Sequence, residues 1–143
     1  MSDESTTLAL WRDVQLMHLQ LSAILHRGLM EDVGMSYQDF IVLSELSVEP
    51  RRVVDLARTL GLEKSRLSHH LDRMQGRDLV ARRPTPGDAR GALVVSTPAG
   101  RRLHKRALPG HVARVQELFG DHVTMSEARA IGSVITKVSR HLS

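Results

Sequence analysis

The sequence contains no cysteine. That absence removes disulfides, thiolate metal sites, cysteine nucleophiles and thiol-based redox sensing, and it fits a reducing compartment. Aromatic residues are nearly as scarce, with one Trp, one Tyr and two Phe in 143 residues. A core must therefore be built from Leu, Val, Ile, Ala and Met. No apolar run approaches the roughly 18 residues needed to cross a bilayer. The opening MSDESTTLALW is polar and acidic and lacks the basic and apolar regions of a secretion signal. The expectation is a soluble, cytoplasmic protein with no membrane partner. There is no His-Glu-x-x-His, no Gly-rich phosphate loop and no nucleophile elbow. No catalytic residue, cofactor or enzymatic activity is expected.

What is present is charge, unevenly placed. The formal net charge is +4, but residues 51–106 hold 14 Lys or Arg against 5 Asp or Glu, and the rest holds 6 against 11. A basic block between acidic ends suits a polyanion-binding centre flanked by parts with another task. A solvated charged surface is the plainer alternative.

The chain reads as one domain, without repeats or low-complexity tracts. Leu10, Val14, Met17, Leu21, Ile24 and Leu25 recur at helical spacing within residues 7–30, and Val33-Gly34 stops that helix. Ser36 is a candidate N-cap for a second helix, with Asp39 at the capping-box position. Residues 53–60 and 64–77 form two short amphipathic helices around Gly61-Leu62, a helix-turn-helix spacing. Residues 79–83 and 91–96 are β-prone and separated by a Pro/Gly-rich turn, which predicts a hairpin. Helices over 97–119 and 124–141 follow. Thr97 and Pro98 start the first of them, and Pro109-Gly110 should kink or interrupt it.

If Leu67, Leu71 and Met74 face inward, the opposite face of their helix carries Ser65, His69 and Arg73, with Arg66 alongside. Lys64 and Ser65 lie in the first turn, where free backbone N–H groups can meet phosphate. Arg and small polar side chains can read base edges in the major groove. Lys64, Ser65, Arg66, Ser68, His69 and Arg73 are therefore candidate contacts to double-stranded DNA. A hairpin directly after such a helix forms a wing. Arg82 and Arg83 at its base could neutralise phosphates. Arg90 near its tip could enter a narrow minor groove, with Asp88 aiming the guanidinium.

At these residues the chain resembles the MarR family of bacterial transcription regulators, the multiple-antibiotic-resistance type. The resemblance runs through LARTLGLEKSRLSHHLDRM, LVARRP and GDARGALVVSTPAGRRL, with Asp88, Arg90, Thr97 and Gly100 at the matching wing and helix-start positions. One departure is Asp78, where the family usually has Gly, although Asp tolerates a left-handed conformation better than most residues. The resemblance implies a mainly α fold with a small β-wing. Residues 36–96 would form a winged helix-turn-helix lobe, and 7–32 with 97–143 would form dimerisation helices. It implies a homodimer on a pseudo-palindromic operator, with half-sites roughly 10 bp apart. It also implies a repressor released by a small aromatic or phenolic effector.

Three other readings remain open on the residues alone. Eight histidines could serve acid–base chemistry, and pairs such as His18 with His26 or His104 with His111 could share a helix face. With carboxylates, histidines could instead hold a regulatory metal. A winged helix can also serve protein interaction without a small-molecule effector. Trp11, Met17, His18, Tyr37 and Phe40 could line an effector pocket, but they are more simply read as core.

Overall fold

In a computed structural model, the described residues are 3–142 except 86, and the side chains at 88–91 lie outside the description. Helix α1 spans Glu4–Val33, and its 30 residues make a rod of about 45 Å. Gly34 closes it in the left-handed conformation, φ 66°, as its N–H reaches back to Leu29 and Met30 carbonyls. Helix α2 is Tyr37–Val48. Its Ser36 cap accepts from the Asp39 N–H at 3.0 Å, as expected. Asp39 makes no return bond to the cap; its carboxylate turns inward instead.

A two-residue strand that the sequence pattern did not suggest, β1 (Arg51–Arg52), precedes α3 (Val53–Leu60). Helix α4 is Lys64–Gly76. Strands β2 (Val80–Thr85) and β3 (Asp88–Ser96) extend closer to the turn than expected. Pairing is antiparallel in the order β1-β3-β2, with Arg82 opposite Val94 and Arg83 opposite Leu93. Two residues are too few to show a period-2 pattern, so β1 exists only through its pairing with β3.

Helix α5 (Pro98–Leu118) runs unbroken through Pro109, so the expected interruption does not occur. Proline forfeits its own N–H bond and crowds the carbonyl four residues back, but α5 packs along α1, which supports it. At the crossing, Arg114 donates to both Asp32 oxygens, at 2.5 and 2.9 Å. A Cβ on Gly110 would stand 2.5 Å from Asp32 Oδ2, so glycine is what lets this pair sit against the helix. A 3₁₀ turn (Gly120–His122) leads to α6, Met125–Leu142.

The core gathers Leu43 and Leu46 of α2, Leu56 of α3, Leu67, Leu71 and Met74 of α4, Val80 and Val94 of the sheet, and Leu29 and Ala107 from the long helices. It is aliphatic, as the composition requires, with Phe40 its one buried aromatic among the described residues. No residue of α6 is buried.

Candidate nucleic-acid interface

Helix α4 divides as its sequence predicts. Leu67, Leu71 and Met74 are fully buried, while Lys64, Ser65, Arg66, His69 and Arg73 are exposed. Burying three such side chains contributes several kcal/mol, at about 1.5–3 kcal/mol each, and fixes which face points outward. The α4 N-terminus has no side-chain cap, so its first N–H groups remain open to an anion.

Ser68 is half-buried and occupied. Arg82 reaches from β2 to donate to its carbonyl and hydroxyl oxygens, both at 3.2 Å. The same guanidinium donates to Asp72 Oδ1 at 2.6 Å and Gln75 Oε1 at 3.2 Å. Arg82 thus braces the wing against three residues spread over about two turns of α4, a role that the sequence pattern did not suggest. Arg83, one residue on, falls on the other face of the sheet by the strand's period of two and is exposed. The two arginines that the sequence placed together at the wing base are therefore separated. The side chains of Asp88 and Arg90 lie outside the described residues, as does Pro86 of the turn.

A second polar centre went unforeseen. Asp39, 2% exposed, accepts from Arg77 at 2.6 Å and lies 3.0 Å from His70 Nε2, whose N–H is poorly aimed at it. Arg73 lies 3.3 Å from His70 Nδ1. Because a guanidinium can only donate, Nδ1 accepts and the imidazole proton sits on Nε2, beside the carboxylate. Burial alone would push the Asp39 carboxyl up, but the neighbouring His70 and Arg77 donors and charges outweigh it and hold it at about 2. The centre ties the start of α2 to the middle and end of α4. A signal for His70 was available: positions 67, 70, 71 and 74 form one helical stripe.

Of the other histidines, His104 and His111 stack on Phe40, with ring centroids 5.1 and 4.2 Å away. Burial lowers the pKa of both, and for His111 nearby Arg114 and His104 add to it. Among the described residues no group of three or more His, Asp or Glu could hold a metal ion. No helix among them is long and apolar enough to cross a membrane.

The arrangement is a helix-turn-helix whose second helix faces outward and is braced to a three-stranded wing. The MarR family model matches residues 33–91, from the end of α1 into the wing. Over the winged helix-turn-helix segment the chain is thus similar to the MarR family. Its structure is similar to AbsC, a MarR family transcriptional regulator from Streptomyces coelicolor, at 28% identity and a TM-score of 0.87, covering 99% of this chain and 97% of that one. It is also similar to Sco3205, a MarR family regulator from the same organism solved in complex with DNA, at 26% identity and a TM-score of 0.88, covering 99% and 90%. A mutant MarR from E. coli, complexed with operator DNA, shares the fold at 24% identity and a TM-score of 0.81, covering 96% and 99%. No curated protein sequence matches the chain.

The MarR-type features that the sequence suggested can be located. Asp78, where the family usually has Gly, takes φ 58°, the one non-glycine residue with positive φ among those described. Thr97 caps α5 by accepting from Gly100 N–H at 2.9 Å. A Cβ on Gly100 would fall 2.0 Å from the Leu79 carbonyl oxygen, so the Thr-x-x-Gly start lets α5 press against the turn after α4.

Proposed function

We propose that this chain is a MarR-type regulator, a cytoplasmic, sequence-specific DNA-binding protein that acts on transcription as a homodimer on a pseudo-palindromic operator. The observation that carries the reading is the exposed face of α4, with Ser65, Arg66, His69 and Arg73 opposite a fully buried apolar stripe and beside a braced wing. In this reading Lys64, Ser65 and Arg66 meet phosphates and the first bases, while His69 and Arg73 face the groove. Ser68 and Arg82 act through the brace as much as by contact. The local excess of basic residues favours DNA over a protein-only partner. Likeness to Sco3205, solved with DNA, supports it.

The dimer rests on the uncovered apolar faces of α1 and α6, where Trp11 is 58% and Ile135 58% exposed. Release by a small aromatic or phenolic effector has a candidate place in a cleft of about 200 Å³ between α1 and α5. His18, Tyr37 and Phe119 offer it polar and aromatic surface, and Leu25 an apolar floor. Trp11 and Met17 are exposed and do not line this cleft, and Phe40 belongs to the core.

The test is selection of bound sequences from genomic DNA, followed by binding at several salt concentrations. A recovered palindrome, and affinity that falls steeply with salt, are expected. Salt-insensitive or sequence-blind binding would remove the proposal. At the wing, Arg90→Ala should weaken operator binding with stability changed by within about 0.5 kcal/mol. Asp88→Ala should also weaken it if Asp88 aims Arg90, whereas tighter binding would make Asp88 a mere repulsive charge.

A further inference from the structure

Arg73 differs from the other exposed residues of α4 in having a partner behind it. On the helix surface it neighbours His69, four residues back on the open face, and His70, three back on the buried side. Helical geometry therefore sets its side chain at the border between that face and the lobe. There one guanidinium nitrogen lies 3.3 Å from Nδ1 of His70, whose ring is buried while Arg73 is exposed. Nδ1 accepts only while the ring proton is on Nε2, and Nε2 lies 3.0 Å from Asp39 Oδ1. Arg77 takes the other carboxylate oxygen, Oδ2, at 2.6 Å. The Asp39 backbone is fixed in turn by its N–H bond to Ser36 Oγ. An ionised, doubly anchored carboxylate thus presents Oδ1 to the ring. The other tautomer would set two donors face to face at Nδ1 and two lone pairs face to face at Nε2.

The consequence reaches the open face of α4. An exposed arginine samples many rotamers and must give them up to grip a base. A guanidinium carries several N–H donors in a rigid fork. Held from behind through one nitrogen, it keeps the others for a guanine edge, which arginine pairs with bidentately. We propose that His70 is a positioning residue for sequence recognition: its Nδ1, left as an acceptor because Asp39 draws the ring proton to Nε2, orients the Arg73 guanidinium toward base edges. The inference rests on the DNA-binding reading given above and deepens it. His70 is buried and itself meets no base. Specificity then depends on a carboxylate of α2 that DNA never touches, and the first turn of α2 becomes part of the reading head.

Two substitutions separate the ring nitrogens. In His70→Asn the amide oxygen stands near the place of Nδ1 and can accept from Arg73. In His70→Gln the longer amide reaches the place of Nε2 and meets Asp39, leaving Arg73 without its acceptor. The readout is the ratio of affinities of the full chain for the operator recovered by selection and for scrambled DNA, at fixed salt and pH. Arg73→Ala should lower that ratio roughly tenfold, the loss of one base contact. His70→Gln should lower it about threefold to tenfold, the worth of one hydrogen bond, and His70→Asn should nearly keep the parent ratio. In an Arg73→Ala background neither His70 substitution should lower it further. Equal losses in His70→Asn and His70→Gln, or a His70→Gln loss that persists without Arg73, overturn the proposal, because the ring then serves by packing alone. Nitrogen NMR of the DNA-free parent needs no change at the buried ring. It should show the proton on His70 Nε2 and slow rotation of the Arg73 guanidinium. A freely rotating Arg73 in a parent that discriminates its operator overturns the proposal and leaves the DNA-binding reading standing. A held Arg73 in a parent that binds operator no better than scrambled DNA removes that reading, and the proposal with it.

Discussion

Two regions of the molecule differ in how much of their structure one chain completes. Every buried residue among those described lies between Leu25 and Ala107. Within that span helices, sheet and caps enclose an aliphatic core. Outside it, α1's first five turns and all of α6 carry large apolar side chains in solvent: Leu8, Leu10, Trp11 and Val14 at one end, and Ile131, Val134, Ile135, Val138 and Leu142 at the other. The α6 residues recur at three- and four-residue steps, so they form one stripe rather than scattered exposure. Contiguous apolar surface of that kind is characteristic of an interface. The lobe is finished by its own chain, and the terminal helices carry apolar faces that one copy leaves uncovered, as the proposed dimer requires.

Removing residues 124–143 tests that contrast most severely. The truncated chain should keep its lobe, because no core side chain comes from α6, yet lose dimerisation and palindrome binding together. Sedimentation and operator titration would measure both. A truncated chain that remained dimeric, or bound the palindrome as tightly as the full chain, would make the terminal helices dispensable.

Within the lobe, Asp39→Ala should cause the largest loss from a single polar side chain. It strands His70 and removes the tie from Arg77, and a hydrogen bond to a charged group contributes about 1.5–3 kcal/mol. The pH dependence has a definite sign. The folded carboxyl is held at about 2, below the ordinary 3.8. Its contribution is therefore complete above roughly pH 4 and is lost as pH falls toward 2. Chemical denaturation at pH 5 and again near pH 2.5 should show the gap between parent and variant shrinking with acid. A constant gap would mean that the aspartate serves by packing alone.

How much of this was legible in the sequence depends on the range over which each feature is determined. Local signals held: Ser36 and Thr97 as caps, Gly34 and Gly61 as breaks, and the Leu67, Leu71, Met74 stripe. What escaped were partnerships across the fold. Asp39 looked like a capping-box residue because the spacing from Ser36 fits, but Arg77, 38 residues away, claims its carboxylate. Arg82 and Arg83 looked equivalent, yet the strand's alternation sends one to α4 and the other to the opposite face of the sheet. Pro109 read as an interruption since propensity ignores the helix that α5 lies against. The choice of exposed residues on α4 was legible because helical periodicity alone decides it. Which of those residues touch base edges is fixed by a partner outside the chain.

His69→Ala sharpens the lobe's side of the comparison. His69 is exposed and opposite the buried stripe, so its removal should leave the melt unchanged. It should cost about 1–3 kcal/mol of discrimination between operator and scrambled DNA, the range for one base contact. Equal weakening on both DNAs at fixed salt and pH would reassign His69 to phosphate.

The smallest expected effect is at Asp78. Its φ of 58° is a conformation that costs an ordinary L-residue about 1–2 kcal/mol, and Asp somewhat less. Asp78→Gly relieves that cost but adds freedom to the unfolded chain worth about 0.4–1 kcal/mol. The two nearly cancel, so the melt should move upward slightly, by less than about 1 kcal/mol. The Asp78 carbonyl that accepts from Thr97 Oγ1 is kept in glycine, so the junction between wing and α5 survives. Asp78→Val should destabilise clearly, because a β-branched residue resists positive φ. Neither variant should alter the dimer, since the turn lies wholly within the self-completed lobe. If Asp78→Gly lowers stability by more than about 1 kcal/mol, the carboxylate itself holds the turn, and the backbone account of this position is wrong.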